Sequence, residues 1–171
     1  MGISYWIELE TPGAGSGVQV TEHRVFRSGE RIRLHFRSNA DGYVSILQLG
    51  ASGTAQLLFP DAGKGLTDTG LVANEERILP SATHWFRFDA NPGTERLIVL
   101  FARSHGEIEG LPIRPQMDRP TTESFLRTAS HLRGSKDLVI ETETQNSAEI
   151  GTYGVNLAGQ PVVLEIVLEH R

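Results

Sequence analysis

Four basic or titratable side chains occupy every second position of one segment: Arg31, Arg33, His35 and Arg37. Side chains on a β-strand alternate between its two faces, so these four should project together from one face. Residues 22–38 hold five Arg against two Glu, which is a local charge of +3 in a chain of net charge −5. Such a row could steer an acidic partner or pair two copies of the chain. The alternative is a solvated strand face with cross-strand ion pairs, for example to Glu141 and Glu143.

Two tryptophans form a second candidate binding feature. Trp6 alternates with Tyr5 and Ile7, and Trp85 alternates with Phe86, so each Trp should lie on the face opposite its apolar neighbours. If they are exposed, they could stack on sugars or insert into a protein partner, because Trp is enriched at binding hot spots. The alternative is that each Trp packs under a loop or under the predicted helix.

Paired carboxylates offer the simplest catalytic possibility. Glu141 and Glu143, and likewise Glu165 and Glu169, are two or four positions apart, so each pair would share one strand face. Two carboxylates can serve as acid and base in a hydrolase. The alternative is the polar face of an amphipathic strand.

The sequence lacks the motifs of other common catalytic and metal sites. The chain has no Cys, which excludes a thiol nucleophile, disulfides and thiolate-bound metal. The six His are scattered without H-x-x-x-H or H-E-x-x-H spacing, and the glycines of residues 13–17 lack the G-x-G-x-x-G pattern. No Ser–His–acid set follows from spacing alone. We therefore expect no catalytic residues, no metal and no cofactor.

Composition limits the partners further. The 171 residues include 16 basic and 21 acidic side chains, which argues against a nucleic-acid partner. No apolar run approaches the ~20 residues of a membrane span, and the first ten residues lack the pattern of a secretory signal. We therefore expect a soluble chain without direct membrane insertion. The oligomeric state stays open, and so does the choice between the periplasm or envelope and the cytoplasm.

Apolar and polar residues alternate around Ile3–Leu9, Ile32–Phe36 and Val162–Leu168, which predicts strands with one buried face. Residues 42–49 and 97–102 are apolar on both faces, as in covered central strands. The Asp41-Gly42 pair predicts a hairpin turn. Residues 120–133 show helical spacing, and this short helix should pack over an end or edge of the sheets. The prediction is a mainly β, antiparallel, immunoglobulin-like β-sandwich forming a single domain over 1–171.

Several short segments recur in a recognisable order: VFRSGERIRL at 25–34, SNADGYV at 38–44, LFP at 58–60, ILP at 78–80 and PGTERL at 92–97. Together they resemble a bacterial family of domains of unknown function found beside caspase-like peptidases, serine/threonine kinases and envelope lipoprotein modules. The resemblance covers about residues 24–104 and implies a β-rich accessory domain without assigned catalytic residues. Residues 105–171 would then add the helix and C-terminal strands that complete the sheets.

These observations favour a non-catalytic protein-interaction or sensing module of a larger bacterial protein, with a protein or envelope component as its partner. The binding residues would be Arg31, Arg33, His35, Arg37, Trp6 and Trp85. The alternatives are a carbohydrate-binding module that uses Trp6 or Trp85, a carboxylate-dependent hydrolase, and a spacer without any ligand.

Overall fold

The computed structural model describes residues 1–105, 113–132, 152–155 and 160–171. Within them, strands predominate and form two sheets. The strands are β1 (Gly2–Glu10), β2 (Gly17–Val20), β3 (Val25–Phe26), β4 (Arg31–Ser38), β5 (Gly42–Leu49), β6 (Ala55–Phe59), β7 (Gly70–Leu71), β8 (Glu76–Leu79), β9 (Phe86–Arg87), β10 (Gly93–Ala102), β11 (Gln116–Met117), β12 (Thr152–Val155) and β13 (Val162–His170).

Sheet A has the order β12-β1-β4-β8, with β2 also paired to β1 and β9 also paired to β4. Sheet B has the order β11-β6-β5-β10-β13-β3, with β7 paired to β5. The prediction was an antiparallel sandwich. The described strand pairs are antiparallel except for one, because β3 runs parallel to β13. The mainly β fold is confirmed, whereas the immunoglobulin-like strand order stays a prediction.

The two sheets share one hydrophobic core. Alternate residues of β1 and β4 point inward from sheet A, among them Tyr5 and Phe36, and they join Ile46, Val99 and Phe101 of sheet B in one buried cluster. The alternation predicted for these strands is therefore present, and each strand of sheet A keeps a second face directed away from sheet B. This layering is that of a β-sandwich.

A helix, α1 (Arg119–Leu132), covers the other face of sheet B. Its Phe125 and Ala129 lie in a second buried cluster with Leu47 of β5 and Ile98 of β10. Two covered faces explain why β5 and β10 are apolar throughout. The predicted helix is confirmed, but its predicted position over an end or edge is wrong. The helix packs instead on the second face of sheet B, whose apolar residues it buries.

The link between β4 and β5 carries the chain from one sheet to the other. The hairpin predicted at Asp41-Gly42 is therefore wrong, since β4 pairs in sheet A and β5 in sheet B. Asp41 instead accepts a hydrogen bond from the Ala73 N–H at 2.8 Å. A Cβ on Gly42 would collide with the carbonyl oxygen of Ala102, so the glycine is required by close packing rather than by a hairpin turn.

The C-terminal strands enter both sheets. In sheet A, β12 pairs with β1, and in sheet B, β13 pairs with β10 from Gly93 opposite His170 to Phe101 opposite Val162. The single domain over 1–171, with its 24–104 core and 105–171 extension, stays a prediction.

Candidate functional site

The outer face of sheet A collects the predicted binding residues. Strand β4 directs Ile32, Leu34 and Phe36 into the core, which places the intervening side chains on the opposite face. The antiparallel register sets Trp6 opposite His35 and Glu8 opposite Arg33. We use the name outer face for this surface, whose charged and aromatic members are Trp6, Glu8, Glu10, Arg31, Arg33, His35, Arg37, Glu76, Trp85 and Arg87.

Arg33 is the most firmly held member of this face. The residue is only 7% exposed, although it lies on the side of sheet A directed away from the core. Its Nε donates to the carbonyl of His84 at 3.1 Å, and its Nη2 donates to the carbonyl of Ala82. The guanidinium carbon lies 3.7 Å from the centre of the Trp85 ring, which is a cation–π contact. Arg33 therefore fixes the 82–85 segment against β4.

His35 connects three strands of sheet A. Its Nε2 lies 2.8 Å from a Glu8 carboxylate oxygen on β1, and its Nδ1 lies 2.6 Å from one of Glu76 on β8. The Trp6 ring stacks on the imidazole with centroids 5.2 Å apart. Glu8 also accepts a hydrogen bond from the Gly17 N–H of β2 at 2.7 Å, so one carboxylate joins β1, β2 and β4.

Glutamates on neighbouring strands offset most of the positive charge of the outer face. Arg31, Arg33 and Arg37 contribute three positive charges, Arg87 of β9 adds a fourth opposite Arg31, and the facing strands contribute Glu8, Glu10 and Glu76. Arg31 Nε lies 2.5 Å from a Glu10 oxygen, and Arg33 Nη1 lies 3.7 Å from one of Glu8. The predicted alternative of cross-strand pairing therefore describes this face, with other acids than those proposed. Glu141 and Glu143 lie outside the described residues.

Both tryptophans lie half-buried at the outer face. The Trp6 ring contacts His35, and the Arg37 guanidinium carbon is 5.8 Å from its centre. Trp85 lies against Arg33. The described part of α1 packs on sheet B, so neither ring is covered by that helix. The six residues predicted from sequence thus share one surface, on which Arg33, His35 and Arg37 contact the two Trp rings and Arg31 pairs with Glu10.

A cleft of about 440 Å³ begins beside this surface, and we call it the Trp85 cleft. Its lining includes Ile32, Leu97 and Leu168, which belong to the core between the sheets and are almost fully buried. The remaining lining residues are Gln48, Leu58, Lys64, Trp85, Phe86, Arg87, Phe88, Asp89 and Glu95. The sequence does not reveal this cleft, because its residues come from strands that are distant in the chain and meet only after both sheets have formed.

Several polar groups at the cleft mouth are fixed by short contacts. Glu95 accepts a hydrogen bond from the Gln48 amide at 2.7 Å, and Lys64 Nζ lies 2.7 Å from an Asp61 oxygen. Hydrogen bonds from the backbone N–H and side chain of Asn91 hold the pKa of Asp89 below its usual value. The cleft lining therefore carries both signs of charge beside apolar side chains.

Ser28, His170 and Glu95 form a contact set that spacing could not reveal. Ser28 Oγ lies 3.1 Å from His170 Nε2, and His170 Nδ1 lies 3.8 Å from a Glu95 oxygen. The second distance is too long for a hydrogen bond. The backbone N–H groups of Ser28 and Gly29 donate to the carbonyls of Arg171 and Phe88, so neither is directed at an oxyanion. This geometry favours a structural connection between the 26–30 segment and the end of β13.

The remaining candidate carboxylates have structural partners. Glu165 pairs with Arg96 across β13 and β10 at 2.5 Å, and Glu169 accepts a hydrogen bond from the Thr94 hydroxyl at 3.2 Å. Among the described residues, no cluster of three or more His, Asp or Glu side chains is arranged to hold a metal ion. Within the same ranges, no helix is long and apolar enough to cross a membrane.

Comparison with known proteins identifies a family for the central part of the chain. Residues 25–105, which span β3 to β10, match the model of a family described as a domain of unknown function, DUF4384. No curated protein and no solved structure matches the chain significantly. The predicted resemblance to a family of domains of unknown function is therefore confirmed, and residues 25–105 carry the DUF4384 match.

Proposed function

We propose that this chain is a non-catalytic protein-interaction module of a larger bacterial protein, and that it binds its partner through the outer face of sheet A. The observation that carries the proposal is that half-buried Trp6 and Trp85 lie on one surface, held in place by the buried His35 and Arg33 beneath them. Trp and Arg are the residue types that most often dominate binding energy at protein interfaces.

The order of this face also supports binding. Arg33 and His35 are held by contacts to two carbonyls and two carboxylates, so little side-chain freedom remains to be lost when a partner binds. Because three Glu offset all but one of the four Arg on this face, affinity would come mainly from aromatic contacts rather than from attraction to an acidic partner. Sensing, envelope association and a periplasmic location belong to the same proposal, with the cytoplasm as the alternative compartment.

Site-specific photo-crosslinking in the native host tests the proposal. A photoreactive residue at position 37 lies on the outer face, and one at Arg119 of α1 lies on the far side of sheet B, where its side chain is 71% exposed. A partner should be captured from position 37 and not from position 119.

The captured partner is then purified and titrated against variants. Trp6→Ala should weaken binding by about tenfold or more, while the matched control Arg119→Ala should leave it unchanged. Equal effects of the two substitutions, or equal capture from both positions, would remove the outer face as the binding surface.

Carbohydrate binding through Trp6 or Trp85 is the alternative that the same experiment can separate. A glycan array with the wild-type chain should stay negative if the proposal holds. Saccharide binding that is lost in Trp6→Ala or Trp85→Ala, without a captured protein, would favour the carbohydrate-binding module. The hydrolase hypothesis has no support from the described residues, because Glu165 and Glu169 are engaged by Arg96 and Thr94.

A further inference from the structure

We infer that the Glu8–His35–Glu76 triad of the outer face is a pH-sensitive clasp, in which His35 is an imidazolium that donates to both carboxylates and releases Glu76 when it loses a proton. The clasp is a property of this chain alone and goes beyond partner binding. His35 Nε2 lies 2.8 Å from a Glu8 oxygen, and His35 Nδ1 lies 2.6 Å from a Glu76 oxygen. Both are hydrogen-bond distances, and an ionised carboxylate can only accept. Both ring nitrogens therefore have to donate, and only the imidazolium has two N–H groups.

The surroundings of the triad favour the second proton on the ring rather than on a carboxylate. His35 is only 7% exposed, and a buried cation is stable where carboxylates contact it directly. The ionised form of Glu8 is supported by the Gly17 N–H at 2.7 Å and by Arg33 Nη1 at 3.7 Å. The Trp6 ring stacks on the imidazole with an interplanar angle of 26° and centroids 5.2 Å apart, within the range of cation–π attraction.

Four charged side chains of the described residues face His35. Glu8 comes from β1, Glu76 comes from β8, and Arg33 and Arg37 lie two positions away on the same face of β4. Residues two apart on a strand are separated by about 6–7 Å, whereas both carboxylates lie at hydrogen-bond distance from the ring. Attraction to the carboxylates therefore outweighs repulsion from the arginines.

The two contacts of the ring are not equivalent. The Glu8 side chain is 16% exposed and also bound to the Gly17 N–H, whereas the Glu76 side chain is 40% exposed. A neutral imidazole has one N–H and can satisfy one carboxylate. When the pH rises and one proton passes to water, His35 should keep Nε2–H directed at Glu8, and Glu76 should turn to solvent. Trp6 then rests on a neutral ring, and β8 loses its side-chain connection to β4.

Ring ¹⁵N NMR of the full chain tests the clasp, because the shifts of the two nitrogens distinguish the imidazolium from each neutral tautomer. The His35 signals are those absent from the spectrum of His35→Gln. At about pH 7.5 an unperturbed histidine is about nine-tenths neutral. We expect both nitrogens of His35 to be protonated at that pH, and the Nε2–H tautomer to replace the imidazolium as the pH is raised towards about 10.

Glu76→Gln is the variant that removes the need for the second proton. Its amide keeps the size of the side chain and offers both a donor and an acceptor, so a neutral ring can be satisfied. In Glu76→Gln, His35 should be mainly neutral at about pH 7.5. Glu10→Gln is the matched control, because Glu10 lies on the same face but pairs with Arg31, and it should leave His35 as the imidazolium.

Fluorescence gives a second readout on the same face. In a Trp85→Phe background, Trp6 is the remaining tryptophan, since the chain has two. A protonated imidazole in contact with an indole quenches its emission. The emission of Trp6 should therefore rise with pH in this background, and adding Glu76→Gln should give the higher emission already at about pH 7.5.

A neutral His35 ring in the wild type at about pH 7.5 would overturn the inference. The same ring state in wild type and Glu76→Gln would also overturn it, because the second carboxylate would then have no effect on the proton. A neutral ring with its proton on Nδ1 at high pH would show that Glu8, not Glu76, is released. None of these measurements involves a partner, so the clasp and the outer-face binding proposal are confirmed or refuted independently.

Discussion

Arg33 provides the sharpest test of how the outer face is built. Substitution by Ala removes two hydrogen bonds to the carbonyls of Ala82 and His84, and each bond from a charged group contributes about 1.5–3 kcal/mol. It also removes the stack on Trp85, a cation–π contact of about 0.5–2 kcal/mol. Because Ala82 and His84 are exposed, water can replace the guanidinium at their carbonyls, which lowers the expected loss. We expect Arg33→Ala to reduce the free energy of unfolding by about 2–4 kcal/mol.

Arg31 is the matched control on the same strand and the same face. Its side chain is 48% exposed and pairs with Glu10, so Arg31→Ala should cost about 0–1 kcal/mol. Arg33→Lys should fall between the two, since an ammonium keeps the charge but cannot form the planar fork and stack of a guanidinium. Urea unfolding followed by circular dichroism and by Trp fluorescence measures all three free energies.

The free energies of unfolding lost in Arg33→Ala and in Arg31→Ala are compared to test whether burial and stacking of Arg33 stabilise the fold. Equal losses for Arg33→Ala and Arg31→Ala would show that burial and stacking contribute nothing beyond an exposed ion pair. In a Trp6→Phe background, Arg33→Ala should also change the emission of Trp85, while Arg31→Ala should not. Unchanged emission would show that the guanidinium does not contact the ring in solution.

Three further predictions concern other parts of the fold. Hydrogen bonds from the side chain and backbone N–H of Thr121 hold the pKa of Asp118 below its usual 3.8, so this cap stabilises above that pH and is lost as pH falls through the folded-state pKa. The stability difference between wild type and Asp118→Ala in urea should therefore shrink in acid, and a constant difference would contradict the role of the charge. His170→Ala removes a buried ring hydrogen-bonded to a serine and should cost about 2–4 kcal/mol by thermal or urea unfolding; a loss below ~0.5 kcal/mol would refute its structural role. Phe125→Ala should cost about 3–5 kcal/mol because it empties the helix–sheet core, whereas exposed Thr128→Ala should change stability by less than ~0.5 kcal/mol, and similar values for the two would argue against that packing.

The local pattern of the sequence predicts the strands and their faces well. Alternation in β1, β4 and β13 identifies the inward residues, and the same alternation places Trp6 and Arg33 on the opposite side. The helical spacing of Phe125 and Ala129 identifies α1. These features depend on residues a few positions apart, which is the range over which strand and helix periodicity acts.

The sequence does not predict which strands that are distant in the chain pair with each other. The charge of residues 22–38 predicted a basic strand face. That charge does not include Glu8 and Glu76, which reach the same face only through strand pairing. The hairpin predicted at Asp41-Gly42 is wrong, because turn residues do not say whether the next strand pairs with the last. Ser28 and His170 meet across 142 positions, and no local signal connects them.

The position of β13 between β10 and β3 bears on how family boundaries are drawn. The match at 25–105 contains β4 and β10 but neither β1 nor β13, which are their neighbours in the two sheets. A polypeptide trimmed to those limits would leave one side of each strand with unpaired N–H and C=O groups beside apolar residues, a template for aggregation. Recombinant work on related chains should therefore include the strands that flank the recognisable segment.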